Sequence, residues 1–241
     1  MINKQRYIEE YLSKVKDIHP KLEHVFNLET IENYERSTGK AVGIIPNLPF
    51  NTIIMPLVKP RGASDDKAFV YPHLTYPDGK GGAAALITIT VVQGETSETY
   101  YLFEKNQRFT AHNEEFFLEI PRGFKDYSSD NTLVDCICRE VYEETGLKVS
   151  ANETTYLGSM MVDTGLSDNK VELYHISLVS DSIDDVKLKT HDTTEAIVGF
   201  QLYSEEKVYE LLLQNKIIDS FSQIAIFRHM LLGFDKAIKS I

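Results

Sequence analysis

Residues 123–147, GFKDYSSDNTLVDCICREVYEETGL, constrain this chain more than any other stretch. Leu133, Ile137 and Val141 recur at i, i+4 and i+8, an apolar stripe that predicts a helix over 132–145. Ser129 or Asp130 can cap its start, and Gly146 can end it in the left-handed region. On such a helix Glu140, Glu143 and Glu144 stand at i, i+3 and i+4 and share one face. Three carboxylates on one turn repel one another unless positive charge sits among them. Arg139 can serve one of them, and a hard divalent cation with oxygen ligands would serve the rest. The alternative is an acidic face turned to water, the usual place of a charge run.

The flanks favour the cation. The segment Arg139-Glu140-Val141-Tyr142-Glu143-Glu144-Thr145-Gly146-Leu147 resembles, position for position, the Arg-Glu-apolar-x-Glu-Glu-x-Gly-apolar core of the Nudix hydrolase signature. Upstream, Leu118-Glu119-Ile120-Pro121-Arg122-Gly123 is similar to the Glu-apolar-Pro-x-Gly lead-in of the ADP-ribose pyrophosphatase branch. Gly165-Leu166-Ser167-Asp168 is similar to the Gly-apolar-Ser-acid loop of that branch, whose acidic residue is often the catalytic base. The resemblance covers residues 83–235 or so. Two departures stand out. The distance from Gly123 to Arg139 is two residues longer than in the family pattern, and Asn131 stands where the family has its first glutamate. That glutamate usually orients the helix rather than binding the metal.

The resemblance implies an α/β (α+β) fold, a mixed β-sheet sandwiched between helices, with an N-terminal helical or irregular extension. It implies Mg²⁺, or Mn²⁺, held by Glu140, Glu144 and Glu143 with the carbonyl of Arg122. Such an ion neutralises pyrophosphate oxygens and positions a water for attack. Arg139 would hold the glutamates in register, and Glu143 and Asp168 would take part in catalysis, with Asp168 as the base and Glu172 as the fallback. Arg108, at the end of the strand before the signature, together with Arg122 and Gly123, would meet the substrate. A plain surface arginine at a strand end is the equal alternative for Arg108. The expected reaction is hydrolysis of a nucleoside diphosphate linked to another moiety, with ADP-ribose giving AMP and ribose 5-phosphate. The second reading is a Nudix domain that binds a nucleotide as a sensor or scaffold without cutting it, favoured by Asn131 and the longer loop. A homodimer is the expected assembly.

Charge bounds the partners. The net charge of −11 over 241 residues argues against nonspecific binding of nucleic acid or anionic membrane, both of which need basic surface. It leaves room for a small nucleotide held through a metal. No basic run precedes an apolar segment near the start and no apolar stretch reaches about 18 residues, so a soluble, cytoplasmic protein is expected. Cys136 and Cys138 diverge by about 200° on a helix. They are expected to be reduced and packed rather than bonded or zinc-bound. The seven histidines form no i, i+4 pair, and none is assigned a role.

Along the chain, residues 2–18 read as an amphipathic helix ended by His19-Pro20. Prolines break up residues 21–80, leaving strand-like runs at 43–45, 52–58 and 68–71. The glycine-rich segment 78–82 suggests a boundary between an extension, 1–80, and the hydrolase-like domain, 81–241. Strands are expected at 83–92, 98–105, 116–120, 155–161, 171–179 and 195–202. Ser204 is expected to cap a helix over 205–214, and Asp219 to start the last one.

Overall fold

The computed structural model describes residues 20–47, 51–76, 81–108, 115–193 and 195–239. The helix expected over 2–18, residues 78–80 of the expected boundary and Phe109 lie outside them. The chain forms two compact units. One takes in the described residues up to Gly81 together with Asp163–Asn169, and the other takes in Gly82–Val162 and everything from Lys170 onward.

The first unit has more regular structure than its prolines suggested. Strands β1 (Leu22–His24), β4 (Leu57–Pro60) and β5 (Phe69–Val70) form one antiparallel sheet. Strands β2 (Gly43–Asn47), β3 (Asn51–Met55) and β6 (His73–Thr75) form another. Between β1 and β2 runs helix α1 (Leu28–Thr38). Its signals were present in the sequence. The Asn27 side chain accepts the Thr30 N–H at 3.0 Å, and Gly39 closes the helix at φ 71°. Val25, Ile31, Val42, Ile54 and Leu57 form this unit's own small core.

The second unit is built on a seven-stranded mixed sheet. Its strands are β7 (Gly82–Gln93), β8 (Thr96–Asn106), β9 (Phe117–Glu119), β10 (Arg122–Phe124), β11 (Thr154–Met161), β12 (Lys170–Ser180) and β13 (Ile197–Ser204). The main path is β11-β12-β7-β8-β13, with β10 on β7 and β9 on β8. The pair β12–β7 is parallel and the others are antiparallel. The apolar run in β7 follows from its central place, with both faces covered. Ala83, Ala85, Ile87 and Ile89 pack under helix α2 (Leu133–Thr145) through Leu133, Cys136, Ile137 and Val141. Ala84 and Leu86 face the opposite layer, where α3 (Glu205–Leu213) and α4 (Ser220–Lys239) contribute Val208, Ala225 and Ile226. This is the expected architecture, a mixed sheet between helices. Among the described residues no helix is long and apolar enough to cross a membrane.

Candidate active site

The N-cap of helix α2 lies two residues beyond Asp130 and three beyond Ser129, the two expected caps. Thr132 is its N-cap, in a capping box with Asp135: Thr132 Oγ1 accepts the Asp135 N–H, and the Asp135 carboxylate accepts the Thr132 N–H at 2.8 Å. Gly146 ends the helix at φ 78°, where a Cβ would also stand 2.9 Å from the Lys189 carbonyl oxygen. The segment 189–192 ties down the last turn. Lys189 N–H donates to Thr145 O at 2.9 Å, and the N–H groups of His191 and Asp192 donate to Glu143 O at 2.6 and 2.9 Å. The helix that carries the glutamates is therefore fixed at both ends and along its buried stripe.

Asp130 is free of capping duty because Arg139 holds it. The guanidinium donates from Nε to Asp130 Oδ1 at 3.1 Å and from Nη2 to Oδ2 at 2.8 Å, a bidentate pair. Its Nη1 reaches Glu140 Oε1 at 2.9 Å and Glu143 Oε2 at 2.8 Å, and Nη2 also donates to the Phe124 carbonyl. One arginine thus joins two signature glutamates to the loop ahead of the helix. Asn131 takes no part in this through its side chain, and its carbonyl accepts a hydrogen bond from Lys125. The acid that orients Arg139 sits one residue before the position the family pattern names.

The third glutamate turns elsewhere. Glu144 is 1% exposed, and its Oε2 accepts the Arg122 backbone N–H at 2.9 Å. Arg122 itself donates to Asp219 Oδ1 at 2.6 Å and to Glu119 Oε2 at 3.0 Å, with its guanidinium over the Phe221 ring. Arg108 forms a second bidentate pair, on Glu119, and donates from Nη1 to Glu195 Oε2 at 2.8 Å. Arg108 is thus neither a bare surface arginine nor an unpaired cation. Gly123 lies against Glu140, where a Cβ would meet the carboxyl carbon at 1.9 Å.

Burial and crowding set the charges. Glu140 is pushed up to about 7 by burial, partly offset by Arg139. Burial also raises Glu144, and the charge of Glu104 adds to the rise. Glu104 is raised by burial and then by Glu119. Burial pushes Asp130 up as well, but the Arg139 and Asp126 hydrogen bonds outweigh it and hold this carboxyl below its ordinary value. Burial pushes the Cys136 thiol up to about 12, so it stays a neutral packing group.

Of the residues picked from sequence, Arg139, Glu140, Glu143, Glu144, Arg122, Gly123 and Arg108 lie in the second unit, joined by these contacts. Asp168 lies in the first unit, where its Oδ1 accepts the Tyr76 N–H at 2.9 Å; burial raises its carboxyl, and that hydrogen bond works against the rise. Glu172, on β12, accepts a hydrogen bond from the Tyr174 hydroxyl at 2.5 Å. Sequence reading missed Asp130, Glu104, Glu195 and Asp219 as members of the charged network. Strand alternation was the available signal for Glu104, since Leu102 and Glu104 share a face and Leu102 packs under α2.

The donor set suits a hard divalent cation. Glu140 and Glu144 are buried carboxyls that burial keeps from ionising freely, and a cation removes that penalty. The bare backbone at Gly123 makes the room for Glu140. Among the described residues, no three Asp, Glu, His or Cys side chains converge as a ready-made cage. Glu140 and Glu143 lean on Arg139 while Glu144 takes the Arg122 amide. No protein-family model matches the chain and no curated protein matches it. Among solved structures, a MutT/nudix family protein from Enterococcus faecalis is similar at 16% identity and a TM-score of 0.38. The match covers 51% of this chain and 43% of that one, so it spans less than half of that protein's length.

Proposed function

We propose that this chain is a Nudix-type pyrophosphohydrolase that cleaves a nucleoside diphosphate linked to another moiety, with ADP-ribose as the preferred substrate. The observation that carries the reading is the double use of the signature helix. Arg139 gathers Glu140, Glu143 and Asp130, while Glu144 sits buried on the Arg122 amide. A solvated acidic face would bury neither Glu140 nor Glu144. Mg²⁺ or Mn²⁺, held by Glu140, Glu144 and Glu143 with the Arg122 carbonyl, would supply the positive charge that offsets the pyrophosphate oxygens and acidifies a water.

The chain's own residues do the rest. Arg139 fixes the angle of Glu140 and Glu143 by charge-assisted hydrogen bonds. Glu143, its side chain 40% exposed against 11% for Glu140, is the signature carboxylate open to solvent and substrate. Arg108 and Arg122 are already neutralised by carboxylates, so in this reading they anchor the site wall and meet substrate through whichever donors those partners leave. Asp168 is the proposed proton acceptor. Asp130 supports the catalytic reading over the sensor reading, because it gives Arg139 the acid that Asn131 cannot. A small-molecule nucleotide is the proposed partner, a homodimer the proposed assembly and the cytoplasm the proposed location.

The test is phosphate release after coupled phosphatase treatment, across a panel of ADP-sugars and dinucleotides, with and without Mg²⁺. Mg²⁺-dependent release from ADP-ribose above the other substrates is the expected result. Tight nucleotide binding with no release on any substrate would replace it with the sensor reading.

A further inference from the structure

Strand β8 carries two buried oxygens with nothing to satisfy them. Glu104 is 1% exposed, and its Oε1 has no hydrogen-bond partner among the described residues. Asn106, two residues on and fully buried, donates from Nδ2 to Glu195 Oε2 at 3.3 Å, which leaves its Oδ1 turned away from that acid and also without a partner. Residues two apart on a strand share a face, so both oxygens lie on the side of Leu102, the side that α2 covers. Glu104 stands directly across from Glu119 on β9, and it lies in the field of Glu195 and Glu144 as well.

Arg108 and Arg122 ease the charge of this group from a distance, but among the described residues neither donates to it. Arg108 spends its donors on Glu119 and Glu195, and Arg122 on Glu119 and Asp219. Glu104, Glu119, Glu144, Glu195 and Asp219 thus face two guanidinium groups. A buried carboxylate left unpaired is strongly destabilising, and an orphaned buried amide oxygen adds a further penalty. Glutamine and leucine would both fill the strand position without it. A carboxylate beside a neutral amide oxygen, both buried and both bare, is a donor pair that hard divalent cations take and that an anionic phosphate repels.

We infer that Glu104 and Asn106 supply oxygen ligands to a second divalent-cation position, separate from the ligands that Glu140 and Glu143 offer. The inference rests on the cation reading of the signature helix and extends it to a strand that carries no part of the signature.

Titration of the full chain with Mn²⁺ alone tests this, following heat and the paramagnetic signal of free Mn²⁺. Glu104→Gln is nearly isosteric and removes a buried charge, so it should fold and melt no lower than wild type without cation. It is expected to bind one equivalent of Mn²⁺ fewer than wild type and to lose at least half of the Mn²⁺-induced rise in Tm. Glu98→Gln, exposed on the same strand, should match wild type in both. Equal stoichiometry and affinity in wild type and Glu104→Gln would overturn the second position and leave the proposed function standing. No Mn²⁺ bound by wild type would overturn both.

Discussion

Gly123 and Glu140 occupy space that only a glycine allows them to share. The Glu140 carboxyl carbon would lie 1.9 Å from a Cβ on Gly123, and both carboxyl oxygens would fall within 2.3 Å of it. The clashing atoms are the end of the Glu140 side chain, so a Cβ at Gly123 forces that carboxyl to swing aside and leave its place on Arg139. Gly123→Ala is therefore expected to displace Glu140 and to lower both Mn²⁺ affinity and kcat/KM by one to two orders of magnitude, about 1.4 kcal/mol for each factor of ten. Calorimetric titration and steady-state assays read the two effects. Wild-type cation affinity in a folded Gly123→Ala protein would show that Glu140 is not a ligand.

Arg139 draws its order from Asp130, and this separates two neighbouring substitutions. Asp130→Asn removes a charge-assisted bidentate pair and should cost about 1.5–3 kcal/mol of stability, together with a fall in kcat. Asn131→Glu should change either quantity little, because Arg139 already has its acid. Denaturant unfolding and turnover numbers on the two variants check the contrast. A larger loss from Asn131→Glu than from Asp130→Asn would reverse the assignment.

Glu144→Gln is expected to lower turnover by a factor on the order of 10³ or more, since it removes a charged metal ligand. The amide oxygen of the glutamine can still accept the Arg122 N–H, so the fold should hold. Near-wild-type activity in this variant would remove Glu144 from the site.

The raised carboxyls predict an unusual dependence on pH. A group whose folded pKa lies above its unfolded value of 4.5 carries a proton in the folded chain that the unfolded chain has released. For Glu140 the associated stability is complete below pH 4.5 and is lost as pH rises through about 7. Glu104 and Glu144, raised in the same direction, extend the loss upward. With chelator present, Tm is expected to fall from pH 5 to pH 8. Adding Mn²⁺ should flatten that slope, because binding displaces the protons and relieves the buried charge. An apo Tm that rises over this interval would contradict the burial of these acids as charged ligands in waiting.

The identity of the base separates Asp168 from Glu195. Asp168→Asn is expected to lower kcat by roughly 10²–10⁴-fold, the usual worth of a general base, with KM and Mn²⁺ affinity nearly unchanged and the acidic limb of the pH–rate profile lost. If Asp168→Asn keeps wild-type kcat while Glu195→Gln does not, the role passes to the acid that binds Arg108 and Asn106.

Periodicity made the helix and its sheet legible because the stripe Leu133, Ile137, Val141 and the run in β7 answer directly to burial. The short strand β10 was not legible: Arg122-Gly123-Phe124 has no strand pattern, and it closes on β7 at Gly82, where a Cβ would meet the Gly123 carbonyl oxygen at 2.1 Å. Helix α1 is marked at both ends by Asn27 and Gly39, but it buries Ile31 alone, so no apolar stripe announces it in the sequence. The signature named the face of Glu140, Glu143 and Glu144, but it could not show how Arg139 divides them or that Asp130 takes the place left by Asn131. Glu104 and Glu195 escaped for a different reason. Alternation with Leu102 gives the face of Glu104, but neither that face nor the threonines before Glu195 tell which distant acids and arginines lie against these carboxyls.

The first unit borrows a segment from far along the chain. The bridge between Leu74 and Ser167, the Tyr76 bond to Asp168 and the close fit of Gly81 on Asn169 all join its early residues to the loop Asp163–Asn169. During synthesis the ribosome must therefore deliver β7, β8, α2 and β11 before the first unit can acquire its last contacts. Its N-terminal sheets wait incomplete while the second unit's strands emerge, the reverse of the usual N-terminal-first order. A chain stalled anywhere between residues 82 and 162 would expose that unfinished edge, and nascent chains of this protein should be most susceptible to protease at β6 until residue 169 has cleared the exit tunnel.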